Sequence, residues 1–208
     1  MHLSRKLCFV FAVILWTAAA PLADAAPYLV LESAGQAEMF DAAQNRWQTL
    51  PPESALKKGD KIRTGSDGSV ELAGDPSFEN VFHVGPGSQV TLLHQRPLRI
   101  ALDQGSLWMI NETPLEVRIL TREFLVSIRE GGCAVDISSG TGVLKVFGES
   151  VQVFEKALSG YSDWPLAVEE GFRFVSGKAE RMDYSDYAEW QVWYKKNDAR
   201  KDKHVSKR

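Results

Sequence analysis

The chain has 208 residues, a formal net charge of −3 and 44% hydrophobic residues, enough apolar material for one buried core, which excludes a low-complexity, disordered polypeptide. Its charge is segregated: residues 26–194 carry a net −9, whereas Lys195–Arg208 holds seven basic and two acidic residues. An acidic body excludes nucleic acid as the principal partner, because phosphate contacts need a clustered basic face.

In chain order, the first element is a leader. Arg5 and Lys6 precede an apolar run from Leu7 to Leu15, Ala-rich sequence follows to Ala26, and Ala23-Asp24-Ala25 offers the small residues of a cleavage site. The pattern predicts a signal peptide over residues 1–25 and a periplasmic or secreted mature chain beginning Ala26-Pro27. The apolar run is shorter than the roughly 20 residues of a membrane span, so no transmembrane anchor is expected after cleavage. Cys8 lies ahead of the apolar region, too early for lipid attachment. Cys133 is then the only cysteine, which excludes an intramolecular disulfide and leaves stability to packing. A thiol between Gly131-Gly132 and Ala134-Val135 is expected to be buried, the alternative being a pairing with another molecule.

From Tyr28 onward the dominant period is two, the spacing that puts alternate side chains on one face of a strand. Val70 and Leu72, Phe82 and Val84, Val90 and Leu92, Leu98 and Ile100, Phe124 and Val126, Val135 and Ile137, Leu144 and Val146, and Phe172 and Phe174 all follow it. Turn signals separate the runs at Gly59-Asp60, Ser66-Asp67-Gly68, Gly85-Pro86-Gly87, Asp103-Gln104-Gly105, Gly131-Gly132 and Ser139-Gly140. The segment from Leu158 to Trp164 reads as a loop. Many short strands at this spacing predict one all-β domain over residues 26–180, built as a β-sandwich, β-roll or solenoid-like winding, and exclude a βαβ architecture.

A short C-terminal helix is expected over residues 181–196. Tyr187, Trp190, Trp193 and Tyr194 fall on one helical face, with Asp186 and Glu189 near the start and Lys195 and Lys196 near the finish. That aromatic stripe is expected to clamp the helix onto the β-body. Residues 197–208 read as a basic, disordered tail capable of weak anionic contacts.

The stretch Leu56-Lys57-Lys58-Gly59-Asp60-Lys61-Ile62-Arg63-Thr64-Gly65-Ser66-Asp67-Gly68-Ser69-Val70-Glu71-Leu72 resembles the opening of the FecR domain family. Weaker matches follow in order at Leu98–Trp108, Thr121–Ile137, Gly148–Val153 and Glu169–Phe172, so that the resemblance covers about residues 53–175. It implies an all-β module that recognises another envelope component. The family usually carries Gly-Thr before an aromatic residue where this chain has Gly131-Gly132-Cys133. Its founding members are anti-sigma regulators with a cytoplasmic part and a transmembrane helix; this chain is expected to act as a freestanding periplasmic domain.

No local pattern specifies catalysis, a cofactor or a metal. Cys133 with His83 or His94 could be written as a nucleophile and base, but no motif brings them together, and His83, between Phe82 and Val84, is expected to face solvent. His83, His94 and His204 lack zinc-ligand spacing. Glu169-Glu170 would point to opposite faces of a strand, Asp183 and Asp186 read as solvated charges, and Asn111-Glu112-Thr113 matches a glycosylation acceptor by chance. The expectation is a non-enzyme that recognises an envelope protein; a carbohydrate or peptidoglycan binder is the alternative. The candidate contact residues are Trp47 and Trp164, with Trp108 assigned to the core.

Overall fold

The computed structural model describes residues 28–148, 151–157, 160–175, 178–184 and 187–205. The expected leader, residues 1–25, lies outside them. Seventeen strands and one helix make up the described chain, arranged as two sheets that share one long strand. The front sheet runs β4 (Ala55–Leu56), β1 (Tyr28–Ala34), β6 (Ser69–Ala73), β7 (Asn80–Val84), β9 (Leu98–Asn111), β12 (Gly131–Ser138), β13 (Thr141–Gly148), β16 (Glu170–Val175), β17 (Lys178–Asp183). The back sheet runs β3 (Arg46–Thr49), β2 (Ala37–Asp41), β5 (Lys61–Thr64), β8 (Gln89–Gln95), β9, β10 (Val117–Leu120), β11 (Phe124–Ile128), β14 (Val151–Ala157), β15 (Gly160–Leu166). Every described pairing is antiparallel except β9 with β10. This is the sandwich among the architectures that the period-two pattern allows.

Alternation decides the interior. Val70, Leu72, Phe82 and Val84 of the front sheet and Ile62, Val90, Leu92 and Ile100 of the back sheet belong to one buried cluster. Further along the sandwich, Phe124 of the back sheet meets Phe172 of the front sheet edge to face, with ring centroids 5.5 Å apart. Cys133 is fully buried in this core, as expected of a small apolar-like residue.

Three sequence-based expectations within the strands need correction. Asp103-Gln104-Gly105 is not a turn between two strands: β9 runs through it, pairing with β10 up to Ala101 and β8 up to Gln104, then with β12 from Gly105 and β7 from Leu107. The ladder slips there, between Gln89 and Val90, and Gly105 takes φ +83. A Cβ on Gly105 would lie 2.3 Å from Ser88 Oγ, so glycine allows the strand to bend from one sheet into the other. The stretch read as a loop at Leu158–Trp164 is mostly β15, paired with β14, although residues 158–159 lie outside the described ones. Glu169 sits in a turn at φ +66 just before β16, so the face argument does not apply to it.

The largest correction is at the C-terminus. β17 continues to Asp183, and the helix, α1, spans Tyr187–Val205 rather than ending at residue 196. The basic segment up to Val205 is therefore helical and tied to the body, because its cations find buried and half-buried carboxylates on the front sheet. Sequence composition alone assigned it to solvent.

Candidate functional site

The two sheets differ in what covers their outer faces. On the front sheet, strand register lines up Glu32, Glu71, His83, Trp108, Ala134 and Lys145 as a row of directly opposed residues across β1, β6, β7, β9, β12 and β13. A parallel row nearer one end contains Val81, Ile110 and Gly132. α1 lies across these rows. Trp190 and Trp193 are buried against Val81, Ile110 and Phe147, with Leu31, Trp108, Ala134 and Tyr194 packed around them. Trp190 stacks between Phe147 at 5.2 Å and Tyr194 at 5.1 Å, and Trp193 meets Trp108 edge-on at 5.8 Å. A Cβ on Gly132 would come within 2.4 Å of Trp190 Cζ2, so the bare second glycine, where the FecR-like pattern carries threonine, gives the indole its seat.

The register also creates an electrostatic problem that α1 solves. Glu32 and Glu71 stand directly opposite one another on neighbouring strands, an unfavourable pairing of like charges. Lys196 Nζ bridges them, at 2.8 Å from Glu32 Oε2 and 2.9 Å from Glu71 Oε1. Arg200 spans the same pair, at 2.7 Å from Glu71 Oε2 and 3.3 Å from Glu32 Oε2. Trp193 Nε1 also donates to Glu71 Oε1 at 3.3 Å, and the Glu71 side chain is only 5% exposed. Burial alone would raise the Glu71 pKa, but the Lys196 and Arg200 hydrogen bonds and charges outweigh it and hold the group below its ordinary value. Glu112 also accepts from α1, from Tyr194 and from Lys201, both at 2.7 Å.

His83 does not face open solvent as its alternation suggested. It occupies the outer face, but Trp193 covers it at 6.1 Å between ring centroids and Trp108 flanks it at 5.8 Å. Burial lowers its pKa, against the opposing pull of Glu71 at 3.9 Å. Trp108 likewise belongs to this helix-covered layer and not to the interior between the sheets.

The back sheet's outer face carries no helix among the described residues. Its edge hairpin, β2–β3, holds Trp47 opposite Phe40, the rings meeting edge-on at 5.4 Å. The Arg63 guanidinium lies over the Trp47 ring at 4.4 Å and is held there by Glu38, whose Oε2 is 2.6 Å from Arg63 Nε. That ion pair lowers the Glu38 pKa. Trp47 is therefore a half-buried, pre-oriented side chain on a sheet edge. The side chain of Trp164, the other expected contact residue, lies outside the described ones.

The chemically suggestive residues are dispersed. Cys133 is enclosed and burial drives its thiol pKa far up, which keeps it protonated and unsuited to attack. His94 is tied into its own turn, its Nδ1 accepting from the Arg96 N–H at 3.1 Å. Asn111 is fully buried, with Nδ2 donating to the carbonyls of Leu115, Ile128 and Arg129, so the glycosylation-like triplet serves structure. Glu170 caps the Ala167 N–H and pairs with Arg181 at 3.0 Å. Among the described residues, no group of three or more His, Cys, Asp or Glu side chains is arranged to hold a metal ion.

No family model and no curated protein matches this sequence. Solved structures do share its fold. Two crystal structures of a candidate anti-sigma factor from Parabacteroides distasonis, at 2.50 and 1.65 Å resolution, each superpose with a TM-score of 0.54, at 14% and 13% sequence identity. The match covers 64% of this chain and 63% and 64% of theirs, so this chain spans less than two thirds of those proteins. At that identity the likeness establishes the fold.

Proposed function

We propose that this chain is a non-catalytic, exported recognition module of FecR type, which acts in the periplasm or outside the cell and regulates or assembles with another envelope protein. The observation that carries the reading is the Trp47–Arg63–Phe40 cluster: aromatic and guanidinium groups of the kind that dominate protein interfaces, held half-exposed at a sheet edge where a partner strand can add. The FecR-like motif at residues 56–72 supplies β5 and β6, one in each sheet, and so anchors that edge to the core. The fold shared with candidate anti-sigma factors supports a regulatory role. The sealed Cys133 thiol supports a non-enzyme.

Stacking on a sugar requires an open ring face. Arg63 already occupies one face of Trp47, which favours protein over glycan as the ligand. The test is affinity capture from solubilised bacterial envelope with residues 26–208, in parallel with sedimentation on peptidoglycan and polysaccharide. A saturable membrane-protein partner that is lost with Trp47→Ala and weakened with Arg63→Ala is the expected result. Sedimentation with glycan and no protein partner overturns the reading.

A further inference from the structure

The front sheet's outer face is chemically incomplete without a helix on it. Remove α1 and the register leaves Glu32 and Glu71 opposed with no cation between them, next to a slot bordered by Trp108, Phe147 and the bare Gly132. An opposed pair of carboxylates, one of them buried under the helix, and an apolar slot side by side specify their ligand closely: two aromatic side chains three residues apart, then cations one and two turns further along the same helical face. α1 supplies that pattern as Trp190, Trp193, Lys196 and Arg200.

α1 is moored through one face only. It is helical at Tyr187–Val205, yet only Trp190, Trp193 and Asn197 among its described side chains are buried. Val192 is 71% exposed on its far side. Of its ion pairs, the one between Lys196 and Glu32 joins half-exposed groups, a class that contributes little. Beside it an open groove of about 680 Å³ runs over Ile110, Gly131, Phe147 and Gly148, with Glu112 and Glu130 on its rim. A second helix could begin to bind there before the first has left.

We propose that the outer face of the front sheet is a helix-binding site, closed in cis by α1, and that a protein partner opens it by presenting a helix with the same pair of aromatic anchors followed by two cations. This interface is separate from the Trp47 edge, and either can fail without the other.

The test uses a fluorescein-labelled peptide of residues 187–205 and fluorescence anisotropy. The full chain carrying Trp190→Ala and Trp193→Ala, whose own helix has lost its anchors, is expected to bind the peptide saturably and at least tenfold tighter than the wild-type chain, in which α1 competes. Adding Glu71→Gln to that variant is expected to weaken binding about tenfold, and a peptide with both tryptophans replaced by alanine is expected not to bind. If the double variant does not fold, Lys196→Glu with Arg200→Glu releases the helix by charge repulsion while keeping the body's surface unchanged. A released variant that retains its β-sheet circular dichroism and cooperative unfolding but binds no peptide, or binds the tryptophan-free peptide equally, overturns the proposal. So does a wild-type dimer that exchanges α1 between two copies at micromolar concentration, since the site would then belong to self-assembly.

Discussion

The outer faces of the two sheets solve the same problem in opposite ways. Each is the outward half of an alternating strand pattern, and each carries at least one tryptophan, one arginine contact and one carboxylate. On the front face these groups are roofed by α1: Glu71 is buried among Lys196, Arg200 and Trp193. On the back face they stay at the surface: Glu38 holds Arg63 over Trp47 beside the edge strand β3. The same types of contact therefore bind the chain to itself on one side and remain available to another molecule on the other. The difference lies in water access, which sets both the strength of the charge pairs and the area of aromatic surface removed from solvent.

Matched truncations sharpen that contrast. Trp193→Ala is expected to cost about 3–5 kcal/mol in urea unfolding, the range for emptying a buried tryptophan site, unless α1 detaches first and caps the loss at its own docking free energy. Hydrogen exchange separates these cases, since detachment deprotects α1 alone. Gly132→Ala places a methyl group against the Trp190 indole and is expected to cost about 1–3 kcal/mol by overpacking, with quenching or shift of tryptophan emission as the helix is pushed away. A small effect would mean that Trp190 swings aside and that the seat is less exacting than its geometry implies.

Acid is expected to loosen the front face before the back. The folded pKa of both His83 and Glu71 is depressed, so each group contributes stability above its ordinary value, near 6.5 and 4.5 respectively, and loses it as pH falls through the folded value. Protonating His83 charges a ring set between Trp108 and Trp193 with Lys196 nearby, and protonating Glu71 then removes the anion that Lys196 and Arg200 bridge. Exchange protection in α1 should fall severalfold as pH drops from 8 to 5, a loss that should vanish in His83→Gln, and should fall again below pH 4.5 as Glu71 is protonated. Equal protection from pH 8 to well below pH 4.5 would show that the helix is held by its tryptophans alone. Smallest of all, Trp47→Ala is expected to cost about 1 kcal/mol or less in the same unfolding assay, because its ring is half-buried and its cation contact is near the surface. A cost approaching that of Trp193→Ala would mean that the back edge is structural, and would remove it as a contact surface.

Much of the fold was legible in the residues themselves. Period-two runs such as Val70–Leu72 and Leu144–Val146 name strands and their inward side chains, because a strand has only two faces and one must be apolar. The aromatic spacing from Trp190 to Tyr194 likewise identified a docking helix. Tertiary structure alone decided what lies on the other face. Glu71 reads as solvent-facing between Val70 and Leu72, and it does point outward, yet its partner Trp193 comes from 122 positions along the chain. His83 and the basic segment after residue 196 were misplaced for the same reason, whereas Trp108, assigned to the core, points outward between the inward Leu107 and Met109. Local periodicity records which way a side chain points, whereas solvent exposure depends on remote elements packing over it, and no short window of sequence contains both.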